Sequence, residues 1–146
     1  ADADPATLAV SAAVSGAGTT LAKAGLGRLV LSGANTYTGT TRLTAGVLTA
    51  ANATALGNTT GTTTVTSFAT LELAGGISTA EALTLNGSGL GLIGALRNRA
   101  GNNTASGAVT LNSNPTGVTV AADALTLSGA VGTGGSGLNK FGAGTL

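Results

Sequence analysis

The side chains able to do chemistry are few and scattered along the chain. Five carboxylates, Asp2, Asp4, Glu72, Glu81 and Asp123, stand against six bases, Lys23, Arg28, Arg42, Arg97, Arg99 and Lys140. Tyr37 is the one phenol among 146 residues that hold no His and no Cys. Without imidazole or thiol there is no Ser-His or Cys-His dyad and no His- or Cys-based metal site. Glycoside hydrolysis needs two carboxylates across one bond. The only close pair, Asp2 and Asp4, sits at the very start of the chain. A polysaccharide lyase would need clustered acids and bases on an aromatic platform, and Phe68, Phe141 and Tyr37 are the only aromatic residues. No catalytic residue, cofactor or metal ligand is therefore expected, and the chain reads as a non-enzyme. Arg97 and Arg99 are the candidates for contact with a partner, since they stand together in Arg97-Asn-Arg-Ala-Gly-Asn-Asn103, a stretch that reads as a loop protruding from the body.

What must carry these residues is a β architecture. Gly (25 residues) and Thr recur too often for helix interiors. Apolar residues instead alternate in short runs: Leu29-Val-Leu31, Leu71-Glu-Leu73, Leu83-Thr-Leu85, Val109-Thr-Leu111, Val118-Thr-Val120 and Leu125-Thr-Leu127. A period of two puts alternate side chains on one face of a strand, so Glu72 is a charged residue on an outward face. Charged residues make up 8% of the chain, against about 25% in ordinary domains. Mean hydropathy is nevertheless +0.41, which is not the balance of a disordered segment. No apolar run approaches the ~20 residues of a spanning helix. A net charge of +1 gives no electrostatic footprint for nucleic acid.

The strands recur at short intervals. Markers at Val10, Val30, Val47, Leu71, Leu90, Val109 and Leu127 are separated by roughly 20 residues, a solenoid period. A coil of that length cannot close its own core, so stacked coils must bury each other's Leu and Val. Seven coils at ~4.8 Å per rung give a rod roughly 30 Å long. Asn- and Gly-rich corners separate the strands, among them Asn35 with its neighbours, Gly57-Asn58, Gly75-Gly76, Asn86-Gly87 and Gly134-Gly135. Residues 1–146 read as a single β-solenoid segment.

The chain also repeats itself over a longer distance. Residues 8–29 laid on 125–146, an offset of 117, share ten identities in 22 positions, including Leu21/Leu138, Lys23/Lys140, Gly25/Gly142 and Gly27/Gly144. Lys23 and Lys140 are expected to be exposed residues that keep a lateral strand soluble. The chain stops inside this second copy, so open strands and head-to-tail association are expected.

Lys23-x-Gly25-x-Gly27-x-Leu29-x-Leu31-Ser-Gly33-Ala-Asn35-Thr-Tyr37-Thr-Gly39, followed by Ala45-Gly46-Val-Leu48 and Ala55-Leu56-Gly57, covers residues 20–57 and restarts at 138–146. It closely resembles the passenger-associated transport repeat, also called the autotransporter-associated β-strand repeat, of autotransporter passengers. That resemblance implies an all-β, right-handed parallel β-helix, secretion to the bacterial outer-membrane surface, and an outer-membrane translocator barrel as partner. It implies a rod-like stalk, adhesin passenger or matrix fibre. The alternatives are a filament subunit stacking end to end on its own copies, and an adhesin module binding a glycan or receptor on a host or matrix surface. The run Thr59-Thr60-Gly61-Thr62-Thr63-Thr64 raises ice binding as a rival, which would need Thr-x-Thr at one position of every coil.

Overall fold

A computed structural model describes residues 6–146, and the acidic pair Asp2 and Asp4 lies outside it. The chain winds as a parallel β-solenoid, rung upon rung. The first three coils carry two strands each: β1 (Thr7–Val10) and β2 (Leu21–Lys23), β3 (Arg28–Leu31) and β4 (Thr41–Leu43), β5 (Gly46–Ala50) and β6 (Thr62–Val65). The next three add a third: β7 (Ala69–Ala74), β8 (Ser78–Thr79) and β9 (Ala82–Leu85); β10 (Leu96–Ala100), β11 (Asn103–Ala105) and β12 (Val109–Leu111); β13 (Thr116–Val120), β14 (Leu125–Leu127) and β15 (Val131–Gly132). β16 (Leu138–Phe141) opens a seventh rung.

These strands form three parallel sheets. The longest has seven strands in the order β1-β3-β5-β7-β10-β13-β16; the others run β15-β12-β9-β6-β4-β2 and β14-β11-β8. Six turns thus separate seven rungs, close to the count expected from the spacing. Leu8, Leu29, Leu48, Leu71, Leu96, Val118 and Lys140 stand in one rank of the long sheet. The second sheet aligns Lys23, Leu43, Val65, Leu85 and Leu111. From Leu43 to Leu111 that rank is buried and joins Leu48, Leu71, Leu73 and Leu96 in one continuous core. Each such side chain contributes ~1.5–3 kcal/mol, which is how a chain with so little charge holds together.

Three sequence expectations are corrected. The markers stay on the long sheet only through Leu71. Even there they are not register partners, since Val10 pairs with Leu31, Val30 with Thr49 and Val47 with Thr70. Leu90 falls in a 3-10 turn (Leu90–Leu92), Val109 lies in the second sheet and Leu127 in the third. Coils differ in length, and the marker changes sheet when a coil takes in extra residues. The stretch Arg97–Asn103 is not a protruding loop, since it supplies most of β10 and the start of β11. Asn98 and Asn103 turn inward and satisfy the corner between them. Asn98 Nδ2 donates to the carbonyls of Gly101 (3.0 Å) and Ala122 (2.8 Å), and Asn103 Nδ2 donates to that of Ala100 (2.9 Å).

Lys23 is likewise buried rather than exposed, at 7% accessibility. Its parity with Leu21 sends its stem into the core rank, and its ammonium donates to the carbonyls of Ala24 (3.0 Å), Gly25 (2.7 Å) and Ala45 (3.1 Å). Burial lowers its pKa. Lys140 makes the same two-residue reach to the Gly142 carbonyl (2.7 Å) but is exposed, as expected. Lys23→Met, which keeps the stem and orphans three carbonyls, should lose about 1–2 kcal/mol of stability. Lys140→Met should lose less than about 0.5. Urea midpoints of the two variants check the contrast, and equal losses would refute it.

Candidate functional site

The outer face of the seven-stranded sheet gathers three of the chain's arginines around one acid. Glu72, in the middle strand β7, alternates with the core residues Leu71 and Leu73 and so points outward, yet it is 0% exposed. Its cover is made of side chains from other coils. Arg28 comes from two rungs away, across β5, and its Nη1 ion-pairs with Glu72 Oε2. Arg97, one rung away on the opposite side, reaches Oε1 at 2.8 Å. Thr49 Oγ1, the register partner of Glu72 on β5, donates to Oε2 at 2.9 Å. Arg99 stands 3.9 Å from Oε2.

Arg99 falls at a break in the ladder. Asn98 pairs with Leu73 and Ala100 with Ala74, so Arg99 is an extra residue, a β-bulge between two regular pairs. Bulges re-aim side chains. Side-chain exposure rises outward across the cluster, from 10% for Arg28 to 28% for Arg97 and 48% for Arg99. Both Arg28 Nε and Arg97 Nε lack a hydrogen-bond partner. Arg97 and Arg99, the two residues singled out from sequence, are therefore brought together. Arg28 and Glu72 were not singled out as members of this site. Only the i, i+2 spacing of Arg97 and Arg99 marks it, because Arg28 and Glu72 are 44 residues apart in sequence.

The same rank continues to solvent-exposed aromatic surface. Thr119 pairs with Arg97, and Phe141, 41% exposed, pairs with Thr119. The Phe141 ring lies over Gly117. A Cβ there would sit 3.4 Å from ring carbon Cε2, an ordinary contact distance, and 3.2 Å from Ser88 Cα.

A second polar group is hidden inside. Asn35 ties three coils at their corner, accepting from Val14 N–H (2.8 Å) and donating to the Ala55 carbonyl (2.6 Å). Tyr37 is buried, with its hydroxyl 2.6 Å from Thr41 Oγ1. Its ring presses on Gly57 so closely that a Cβ would stand 2.7 Å from the ring, at a φ of +91° that itself favours glycine. These are the corner residues Asn35 to Gly39 and the later Ala-Leu-Gly of one sequence pattern. Residues 21–50 match the family model of the passenger-associated transport repeat.

That stretch is similar to a passenger-associated transport repeat. The match spans β2 to β5. It therefore includes the buried Lys23 with its corner, the ion-paired Arg28, and the Asn35–Tyr37 corner. No curated protein and no solved structure is matched by the chain. In the restart at Leu138 the same residue types occupy other sheets. Lys23 stands in the second sheet and Lys140 in the first, while Leu8 lies in the first and Leu125 in the third. The longer offset thus reproduces a lysine-glycine corner without returning to the same side of the solenoid.

The remaining chemistry-bearing residues are dispersed. Glu81 is buried beside Thr63, whose Oγ1 lies 3.3 Å from Oε1. Asp123 Oδ2 accepts from Gly101 N–H at 2.7 Å on an outer corner. No three His, Cys, Asp or Glu gather among the described residues. Outward threonines form one column, Thr64-Thr84-Thr110, but the residue two before Thr84 is Ala82 and that before Thr110 is Ala108, so the paired Thr-x-Thr array of an ice-binding face does not form.

Proposed function

We propose that this chain is a rod-like spacer segment within the passenger of a secreted bacterial surface protein. The observation that supports it is the continuity of the ladder. The transport repeat at 21–50 is an integral part of a solenoid in which every coil stacks on its neighbours through parallel pairing. Repeat architectures of this type convert sequence length into physical length, and each added coil extends the rod by ~4.8 Å. The chemistry of the described residues favours a mechanical role over catalysis. Glu72 is engaged by arginines, Glu81 is inside, and Asp123 fastens a corner.

The same repeat supports a surface location, which is testable on producing cells. Protease added to intact cells should remove the protein, and antibodies to it should label their exterior. Retention of the whole protein inside intact cells would overturn the reading. End-to-end stacking of copies, the filament alternative, is separated by sedimentation of the purified chain over a range of concentrations. A spacer stays monomeric, whereas a filament subunit grows with concentration.

A further inference from the structure

We propose that Arg97, Arg99 and Phe141 form a binding site for an acidic polysaccharide on the outer face of the seven-stranded sheet, with a sulfate or carboxylate group held by the arginines and a sugar ring resting on Phe141. The site deepens the surface reading above but is tested on the purified chain, so either can fail without the other. Charge is the first argument. Three guanidiniums share one carboxylate, which leaves two positive charges uncompensated on a small area. Among the described residues Glu72 is the only acid ion-paired with them. The second argument is donor capacity. Glu72 accepts from Arg28, Arg97 and Thr49, whereas Arg99 stands 3.9 Å away, beyond hydrogen-bond distance. The Arg99 guanidinium, half-exposed, keeps its planar fork free for an oxyanion.

The third argument is placement. Arg99 stands beside Arg97 on β10, at the point where the ladder with β7 shifts register. Strand alternation puts both arginines on the outer face, since they are two residues apart in β10. Phe141 lies two rungs from Arg97 in the same rank, about 10 Å along the axis. That backbone spacing is within reach of a few linked sugars, so an anionic group at Arg99 and a ring on Phe141 can belong to one polymer. Aromatic faces and arginine forks on a rigid sheet are what sugar rings and their acid groups require.

The test measures binding of the purified chain to immobilised heparin, dextran sulfate, polygalacturonate and neutral dextran, each at low and at high salt. Binding to at least one anionic polymer and none to neutral dextran is expected, weakening with salt. Dextran sulfate and polygalacturonate tell a sulfate site from a carboxylate site. Arg99→Ala should weaken binding about tenfold, equivalent to about 1.4 kcal/mol, while its urea midpoint stays that of the wild type. Arg42→Ala removes the same charge from an exposed position in the second sheet and should bind unchanged. Phe141→Ala should weaken binding while leaving its salt dependence as it was. Absence of binding to every anionic polymer overturns the proposal. Equal losses in Arg99→Ala and Arg42→Ala also overturn it, because binding would then follow net charge rather than this site. Arg97 is left intact because it holds Glu72.

Discussion

Replacing Glu72 with alanine is expected to destabilise the solenoid by about 3–5 kcal/mol, the range for breaking a buried ion pair by removing one partner. The reason is the fate of what remains. Arg28, whose side chain is 10% exposed, lies across β5 with the Glu72 carboxylate as its ion-pair partner. Without that carboxylate a guanidinium is confined against the sheet uncompensated, and Arg97 and Arg99 add repulsion beside it. Removing the cation as well should relieve part of the penalty, so Glu72→Ala with Arg28→Met is expected to be more stable than Glu72→Ala alone. Urea unfolding of the two variants and the wild type measures both. A loss below about 1 kcal/mol would class the cluster with ordinary surface pairs and refute this account.

The second large effect is a dependence on pH carried by Glu81. Burial pushes its carboxyl from the ordinary 4.5 up to about 7, against a smaller opposing pull from the Thr63 hydrogen bond. Oε2 has no partner, and the Tyr37 hydroxyl is the other titratable group that senses it; burial chiefly, and the Glu81 charge in part, raise the pKa of that phenol. A carboxyl whose pKa is raised on folding binds its proton more tightly in the native state. Its contribution is therefore greatest below about pH 4.5 and is lost as pH rises to about 7. The shift amounts to about 3 kcal/mol. Glu81→Gln keeps the shape and abolishes the titration. The wild type should lose stability between pH 5 and pH 8, and the variant should not, so the variant is the more stable of the two at pH 8 and similar at pH 5. An unchanged pH profile in Glu81→Gln would exclude Glu81 as the cause.

The architecture was legible because its signal is local. Alternation in Leu29-Val-Leu31 or Leu71-Glu-Leu73 identifies a strand face without knowledge of its neighbours, and the short spacing shows that coils must stack. The corner from Asn35 to Gly39 was legible as a motif, and the structure explains it by Asn35 bonding coils on either side. Legibility ends where meaning depends on which coil lies above. Coil length varies along the whole ladder, so equal spacing does not mark equal position. Lys23 carries the same charge in or out of a core; three carbonyls from two coils decide the matter. Asn98 and Asn103 are polar enough to suggest a loop, but polarity directed inward closes a corner. Alternation with Leu71 and Leu73 identifies Glu72 as outward-pointing. Its burial depends on Arg28, two rungs away, and no sequence spacing announces that reach.

That reach changes how the rod would yield to force. Ladder hydrogen bonds in a solenoid lie along its axis, so tension on the ends loads the rungs in series and the weakest junction opens first. Most junctions join only adjacent coils. The Arg28–Glu72–Arg97 chain is different, because it crosses every junction from β3 to β10. It acts as a rivet through four rungs. Coils outside it can peel singly, while those it joins must part together, giving the rod a tough middle and compliant flanks.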